Sequence, residues 1–504
     1  MGAPAQSHVT RIDPKACRMK GSKMREEKEM NNETICAISS GTGSSGIGIV
    51  RLSGPLAVEI GERLFRGKRR LKELKSYTAA YGHLVACMPE ERNTSVLDEV
   101  IALVMRAPHT YTTEDVVEFS CHGGPLVLHR VLEELIKAGA RLAEPGEFTK
   151  RAYLGGRIDL TEAEAVMDVI AAENERALSA SLRQLQGGLS NRVTELREKL
   201  LYETAYIESA LDDPENYSLE DYPEHLAPIL ADCKKNISRL LSSAKEGRLL
   251  REGIRTAIVG RPNAGKSSVL NLLLGEERAI VTEIAGTTRD TLEEKAVLGG
   301  VQLTLIDTAG IRETGDVVEQ IGVRRAKEAL RTADLILLVI DAAEPLSMEE
   351  TDLLMEVSFD VPLIVLLNKN DLSTVVTQDE VRKLLMEEGT PTADRSGELC
   401  RILEISAATG DGKDALAKAV QELFFAGKLT DSQEDYLLNT RHIEALHEAQ
   451  DALERVEDSL QAGVGEDFYT IDLMAAYEAL GRIIGETLED DLADKIFKEF
   501  CMGK

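Results

Sequence analysis

The sequence has no tryptophan, 4% aromatic residues and only seven cysteines in 504 residues. Those cysteines, at positions 17, 36, 87, 121, 233, 400 and 501, are odd in number, scattered, and include no CxxC pair. The pattern argues against a disulfide framework and against a zinc site, and it predicts a reduced, cytoplasmic protein. Positive charge is scarce too: 59 Lys and Arg stand against 87 Asp and Glu, a net charge of -28. Attraction to a phosphate backbone therefore cannot be a property of the whole surface, and contact with nucleic acid must use a local patch or a partner. No apolar run approaches the roughly 18 residues of a membrane span. The longest are strand-sized, such as Leu335 to Ile340 and Val361 to Leu367, so no membrane role is expected. What is present is 43% apolar composition, enough for sizeable cores, and a length that suggests about three domains at roughly 100 to 200 residues each.

Residues 1–29 carry 7 Lys/Arg and 4 Asp/Glu without an apolar h-region or a sustained period. They read as a disordered extension, with Met30 a candidate functional start; a basic targeting segment is the competing reading. Residues 30–150 mix β-like runs (Ile47 to Leu52, Val100 to Met105, Val116 to Ser120) with amphipathic stretches (Pro55 to Leu64, Leu126 to Ala138), which predicts an α+β domain. Gly41, Gly43 and Gly46 spell GxGxxG there, but the continuation IGIVRLSG is a strand. Without a helix N-terminus to hold a pyrophosphate, a glycine-rich hairpin is the better account. From Thr161 the pattern turns helical, with Thr161 and Glu164 spaced as a capping box. Residues 151–250 are thus expected to be helical, 251–428 to form an α/β domain of alternating strands and helices, and 429–504 to be helical again. Each helical block presents an apolar stripe that needs covering, so the two should pack together with the α/β domain inserted between them.

The inserted domain carries the chemistry. Arg255 to Val259 reads as a strand, Gly260 to Ser267 is GRPNAGKS, and Ser268 to Leu274 reads as a helix, which is the setting a phosphate-binding loop requires. Asn263, Ala264, Gly265, Lys266, Ser267 and Ser268 would line the phosphates, with Lys266 reaching the outer oxygens and the Ser267 hydroxyl facing Mg2+. DTAG begins at Asp307, 47 residues after Gly260; NKND begins at Asn368, 61 residues later; SAA begins at Ser406, a further 38 on. Asp307, Thr308 and Gly310 would sense the γ-phosphate. Asn368, Lys369 and Asp371, with Ser406 and Ala407, would hold the base. The Asp371 carboxylate can accept two hydrogen bonds from the N1 and N2 protons of guanine, an edge that adenine lacks, and a buried carboxylate facing the wrong base would be unpaired. The segment Thr282 to Asp290 is polar enough to be a mobile switch, with Thr288 a second Mg2+-linked hydroxyl. Where small signalling GTPases carry a water-orienting glutamine, this chain has Ile311, so hydrolysis must recruit another group. Candidates lie in the acidic stretch Glu313, Asp316 and Glu319.

From about Thr34 to Lys504 the chain resembles the tRNA modification GTPase family, which acts with an FAD-containing partner on wobble uridine. The marks are GIGIVRLSG (46–54), EFSCHGGP (118–125), PGEFTKRAYLGGRIDLTEAEAV (145–166), GRPNAGKSS (260–268), IAGTTRD (284–290) and the terminal FCMGK (500–504). The resemblance implies a homodimer formed through the N-terminal domain and a tetrahydrofolate derivative (5,10-methylene or 5-formyl) held by Arg51, Glu118, Arg157 and Lys504. The family often has Lys where Arg157 stands; Arg keeps the charge but prefers forked carboxylate contacts. The resemblance also implies K+ at Asn263, Thr282, Ile284 and Thr287, in the place of an arginine finger, and the water-orienting role for Glu319 in its VExxG sequence. Cys501 is either a chemical residue or a packing residue; no local His activates it. Further implications are a heterotetramer or larger assembly with the FAD subunit, tRNA as substrate, and an aminomethyl-type product. A ribosome-assembly GTPase is the rival reading, but the chain has one phosphate loop and lacks a GXXG loop flanked by basic strands. A membrane-remodelling GTPase would need a basic or apolar lipid-binding tip that the acidic helices do not offer.

Overall fold

The computed structural model describes residues 33–41, 43–86, 95–275, 294–306, 332–356, 361–386, 399–425, 439–465, 467–486, 496–497, 500 and 503. Contacts divide them into two units, one built from residues up to Met167 together with those from Ile484 onward, the other from Asp168 to Ile483.

The first unit contains β1 (Ile35–Ile38), β2 (Ile47–Ser53), α1 (Ala57–Leu64), β3 (Phe65–Gly67), β4 (Thr78–Val85), β5 (Val96–Met105), β6 (Val116–His122), α2 (Pro125–Lys137), β7 (Arg141–Leu142) and α3 (Glu147–Leu154). Its seven-stranded sheet has the order β3-β4-β5-β6-β2-β1-β7. β1 and β2 pair antiparallel with Ile38 opposite Val50, so the glycine-rich segment between them is a hairpin connection and not a nucleotide turn. Alternation along β6 sends Val117, Phe119 and Cys121 into a core shared with Ile60 and Leu64 of α1 and Val131 and Leu135 of α2. The other face carries Glu118 and His122, so Cys121 and His122 point to opposite sides despite being adjacent.

α4 (Leu160–Ala171) follows. Its cap is not the Thr161–Glu164 pair expected from sequence. Asp159 Oδ1 accepts from the Glu162 amide at 2.8 Å, and Glu162 Oε2 accepts from the Asp159 amide at 2.9 Å, a reciprocal box two residues earlier. Thr161 and Glu164 lie inside the helix and are buried. The C-terminal residues also differ from expectation. Instead of belonging wholly to the helical block, they return to the first unit: the Tyr153 hydroxyl donates to the Gly485 carbonyl at 2.8 Å, Phe497 and Phe500 pack with Leu160 and Ala163, and Ser39 Oγ donates to the Gly503 carbonyl at 2.9 Å. The expected boundary at residue 150 likewise falls within α3.

The second unit holds α5 (Glu175–Leu185), α6 (Gly188–Asp212), α7 (Tyr222–Ser242) and α8 (Ala244–Glu252), then β8 (Ile254–Val259), α9 (Lys266–Leu274), β9 (Glu294–Leu298), β10 (Val301–Ile306), β11 (Leu335–Asp341), α10 (Met348–Glu356), β12 (Leu363–Asn368), α11 (Gln378–Met386), β13 (Cys400–Glu404) and α12 (Lys413–Phe425), and finally α13 (Thr440–Ala462) and α14 (Asp467–Ile484). The sheet order is β13-β12-β11-β8-β10-β9, parallel except for the β9–β10 hairpin. β11 is buried along its whole length. Leu335, Leu337 and Val339 enter one core with Leu270 and Val420, while Ile336, Leu338 and Ile340 enter the other with Leu354 and Val381. A strand covered on both faces is apolar on both, which is why Leu335 to Ile340 reads as an unbroken run, ended by the buried Asp341. The helical segments before and after this sheet do meet: α7 packs along α13, with Lys234 Nζ 2.6 Å from Glu457 Oε2.

Candidate functional site

β8 ends at Val259 and the chain turns through residues 260–265 into α9, which places the free N–H groups of a helix start at the end of the loop. Asn263 (φ 65°) and Gly265 (φ 99°) are both in the left-handed region. Glycine at 265 is required twice over, since a Cβ there would lie 2.1 Å from Asn368 Nδ2. Lys266 spans the loop from inside: its ammonium donates to the carbonyls of Gly260 (2.9 Å) and Arg261 (2.8 Å). Burial pushes its pKa below the ordinary lysine range, as expected of a cation placed to receive an anion.

β11 and β12 run parallel with Asp341 opposite Asn368, so both strands end at the same rim as the loop. Asn368 is buried and uses both ends of its amide. Nδ2 donates to the Ala264 carbonyl at 2.9 Å, and Oδ1 accepts from the Ala407 amide at 3.0 Å. One side chain thereby ties the phosphate loop to the SAA segment. Ser406 Oγ donates to Asp371 Oδ1 at 2.6 Å, which fixes that carboxylate. Asp371 is itself exposed, so the burial assumed in the sequence argument for guanine selectivity has to come from a bound base. Lys369 (φ 67°) pairs with Asp341 at 2.6 Å.

Sequence reasoning missed a second ring around this rim. Arg261 lies 2.6 Å from Glu344 Oε2, 3.0 Å from Glu350 Oε1 and 3.8 Å from Asp341 Oδ2. It braces the loop from the outside while Lys266 braces it from within. The available signal was Asp341, a lone acid ending an otherwise apolar run.

In the first unit, Arg51 on β2 stands opposite Glu118 on β6, and their side chains pair at 2.7 Å. Arg157 meets them through an aromatic residue that the sequence did not single out. Its guanidinium lies 4.9 Å from the centroid of the Tyr111 ring and donates to the Tyr111 carbonyl at 3.0 Å, while Arg51 lies 5.7 Å from the same ring and 5.5 Å from that of Phe148. Two cations, one carboxylate and two rings thus converge. Such a set suits a flat heterocycle with an anionic tail.

Thr282, Ile284, Thr287, Thr288, Asp307, Thr308, Gly310, Glu319, Cys501 and Lys504 lie outside the described residues. Of the K+ set, therefore, only Asn263 is placed, exposed at the tip of the loop. Among the described residues no group of three or more His, Cys, Asp or Glu is arranged to hold a metal, and no helix is long and apolar enough to cross a membrane.

Two protein families match the chain: the MnmE helical domain over residues 160–501, and the GTP-binding protein TrmE N-terminus over residues 34–157. The tRNA modification GTPase MnmE of Lachnoclostridium phytofermentans is 49% identical over 478 residues, covering 94% of this chain and 100% of its own. The protein of the same name from Geobacillus kaustophilus is 46% identical over 475 residues, covering 94% and 99%. A crystal structure of Aquifex aeolicus Era matches 40% of this chain and 66% of its own at 32% identity, with a TM-score of 0.25, too low to bear on the fold. With the phosphate-loop geometry, the rim that Asn368 ties to it and nearly half of the residues identical over 94% of the chain in agreement, the chain belongs to the tRNA modification GTPase MnmE family.

Proposed function

We propose that this GTPase couples GTP hydrolysis to modification of the wobble uridine of tRNA at C5, of the aminomethyl or carboxymethylaminomethyl type. The observation that carries the nucleotide half is the Asn368 bridge between the phosphate loop and the SAA segment, with Asp371 held by Ser406 to receive guanine. Lys266 binds the outer phosphates, with the helix start of α9 supplying N–H donors beneath them. Ser267 and Thr288 would hold Mg2+; Asn263, Thr282, Ile284 and Thr287 would hold K+. When bound, these cations offset charge developing between the phosphates. Glu319 would orient the attacking water in place of the residue that Ile311 cannot supply.

The modification half rests on family membership and on the cluster around Tyr111. Arg51, Glu118 and Arg157, with Lys504, would orient a tetrahydrofolate derivative as one-carbon donor, and Cys501 would stand nearby. A partner subunit would contribute FAD, and two copies of this chain would pair in a cytoplasmic assembly.

The first test is steady-state GTP hydrolysis in potassium against sodium chloride, with Asn263→Ala in parallel. Strong stimulation by potassium that the variant loses supports the cation set; equal rates in the two salts refute it. The modification half is tested by nucleoside analysis of tRNA incubated with the protein, a folate donor, the FAD subunit, GTP and an amine source. Product formation indifferent to GTP would sink the coupling.

A further inference from the structure

Residues 63–75 read RLFRGKRRLKELK, seven Lys or Arg against a single Glu, in a chain whose net charge is -28. The fold turns this run into a fixed ridge. Leu64, Phe65, Leu71 and Leu74 are buried anchors, so the basic side chains between them point outward. A Cβ at Gly61 would come within 3.3 Å of both Leu71 and Phe119, so α1 and the 3-10 turn at Leu71–Glu73 are closely packed. Arg106, held by Asp115 at 2.9 Å, donates to the carbonyls of Leu71 and Lys72 from beneath. Arg66 caps the end of α1, donating to the carbonyls of Glu62, Arg63 and Phe65.

Some of the charge is internally matched: Arg63 meets Glu59 at 3.3 Å and Arg70 meets Glu62 at 2.9 Å. Lys68, Arg69, Lys72 and Lys75 are exposed, and none has a carboxylate partner among the described residues. Arg69 and Lys72 stand on the wall of a cleft of about 640 Å3 beside Arg66 and Arg70. No apolar side chain on the ridge is free to enter a bilayer, since its Phe and Leu residues are all buried. A row of unmatched cations on an anchored backbone is suited to a polymer of phosphates, which it positions without reading sequence.

We propose that this ridge is a phosphate-backbone contact surface for RNA and, resting on the function proposed above, for the tRNA substrate. It answers how so acidic a chain holds a polyanion: locally, through about four cations, with weak and salt-sensitive affinity.

The test is fluorescence anisotropy of labelled tRNA with the full chain and its Lys68→Ala/Arg69→Ala/Lys72→Ala variant, across a salt titration. A charge-conserving variant, Lys68→Arg/Arg69→Lys/Lys72→Arg, controls for packing. The expected result is that the alanine variant loses affinity on the order of tenfold or more at low salt and that its slope of log affinity against log salt is shallower by about 2 to 3. The charge-conserving variant should bind as the parent does, and basal GTP hydrolysis should be the same in all three. Equal affinity and slope in parent and alanine variant would overturn the ridge, as would a parent chain that binds no tRNA even at low salt. Both failures leave the modification reading to be judged separately by nucleoside analysis in the reconstituted system.

Discussion

Asn368→Ala isolates the bridge on which the nucleotide site depends. The side chain is buried, and the change leaves the buried Ala264 carbonyl and the half-buried Ala407 amide without partners. At about 1 to 3 kcal/mol for each buried group left unpaired, with the Ala407 amide at the low end because water reaches it, the cost is about 2 to 4 kcal/mol. That cost falls on the arrangement in which the phosphate loop and the SAA segment are held in register. A chain free to relax when empty must restore that arrangement to bind, so nucleotide affinity should fall by roughly 30- to 1,000-fold. Titration of a fluorescent GDP analogue measures it, and circular dichroism checks that the unit is still folded. A dissociation constant within threefold of the parent's, with an unchanged unfolding midpoint, would show that the bridge is a by-product of packing and that the two loops are positioned independently.

Gly265→Ala should abolish nucleotide binding while leaving the first unit folded, because the methyl group would sit 2.1 Å from Asn368 Nδ2 at a φ of +99°; measurable GTP binding by this variant would contradict the close approach. Glu147 gives a pH dependence. Burial pushes its pKa up, but hydrogen bonds from Arg141, the Glu144 amide and Arg151 outweigh that and hold it below the ordinary 4.5. A lowered folded-state value means that its stabilisation is present above pH 4.5 and is lost as pH falls through the folded-state pKa. Glu147→Gln should cost about 3 kcal/mol at pH 7 and flatten the acid limb of urea midpoint against pH; a limb of unchanged slope would place the sensitivity elsewhere. Burial pushes the thiols of Cys36 and Cys121 up to about 12 and that of Cys233 to about 11. Iodoacetamide at pH 8 followed by peptide mapping should leave all three unmodified until denaturant is added, and labelling of native Cys121 at the unfolded rate would refute the burial.

Local signals were the ones legible in the sequence. The strand, loop and helix around residues 254–274 read correctly because strand period, glycine spacing and helix start all lie within one short window. The apolar runs of β11 and β12, each broken only at its last residue, announced a parallel sheet covered on both faces. What stayed hidden needs long-range register. The family resemblance names Arg51 and Glu118 together, but they are 67 residues apart, and only the β2–β6 pairing shows that they face each other. Tyr111 lies in a loop whose composition says turn, and its value comes from two arginines arriving from elsewhere. Arg261 and Asp341 become a brace only once β8 and β11 are neighbours. The misplaced capping box has a simpler cause. Asp159 and Thr161 both open plausible boxes two residues apart; the helix starts at the first, which leaves Thr161 buried in its first turn.

The corner where the helical segment grips the sheet bears on how hydrolysis could be relayed. Asn174 caps α5 through Oδ1, which accepts from the Ala177 amide at 2.8 Å, while its Nδ2 lies 3.4 Å from Gln302 Oε1. Gln302 Nε2 donates to Glu173 Oε2 at 2.9 Å, and Lys295 on the next strand pairs with Glu173 Oε1 at 2.8 Å. Arg176 adds a face over Phe425 at 5.8 Å. The hairpin β9–β10 is therefore latched to Glu173 and Asn174 at the start of α5 by two hydrogen bonds worth about 0.5 to 1.5 kcal/mol each and by an exposed ion pair worth less than about 1 kcal/mol. Gln302 sits five residues before Asp307 on the same run of chain, so a shift of β10 along its axis must either drag Glu173 with it or break these contacts. The summed strength of the latch matches the roughly 1 to 3 kcal/mol typical of coupling between distant sites. For the proposed coupling of hydrolysis to modification, a much weaker joint would transmit nothing, and a much stronger one could not be reset by exchanging one phosphate.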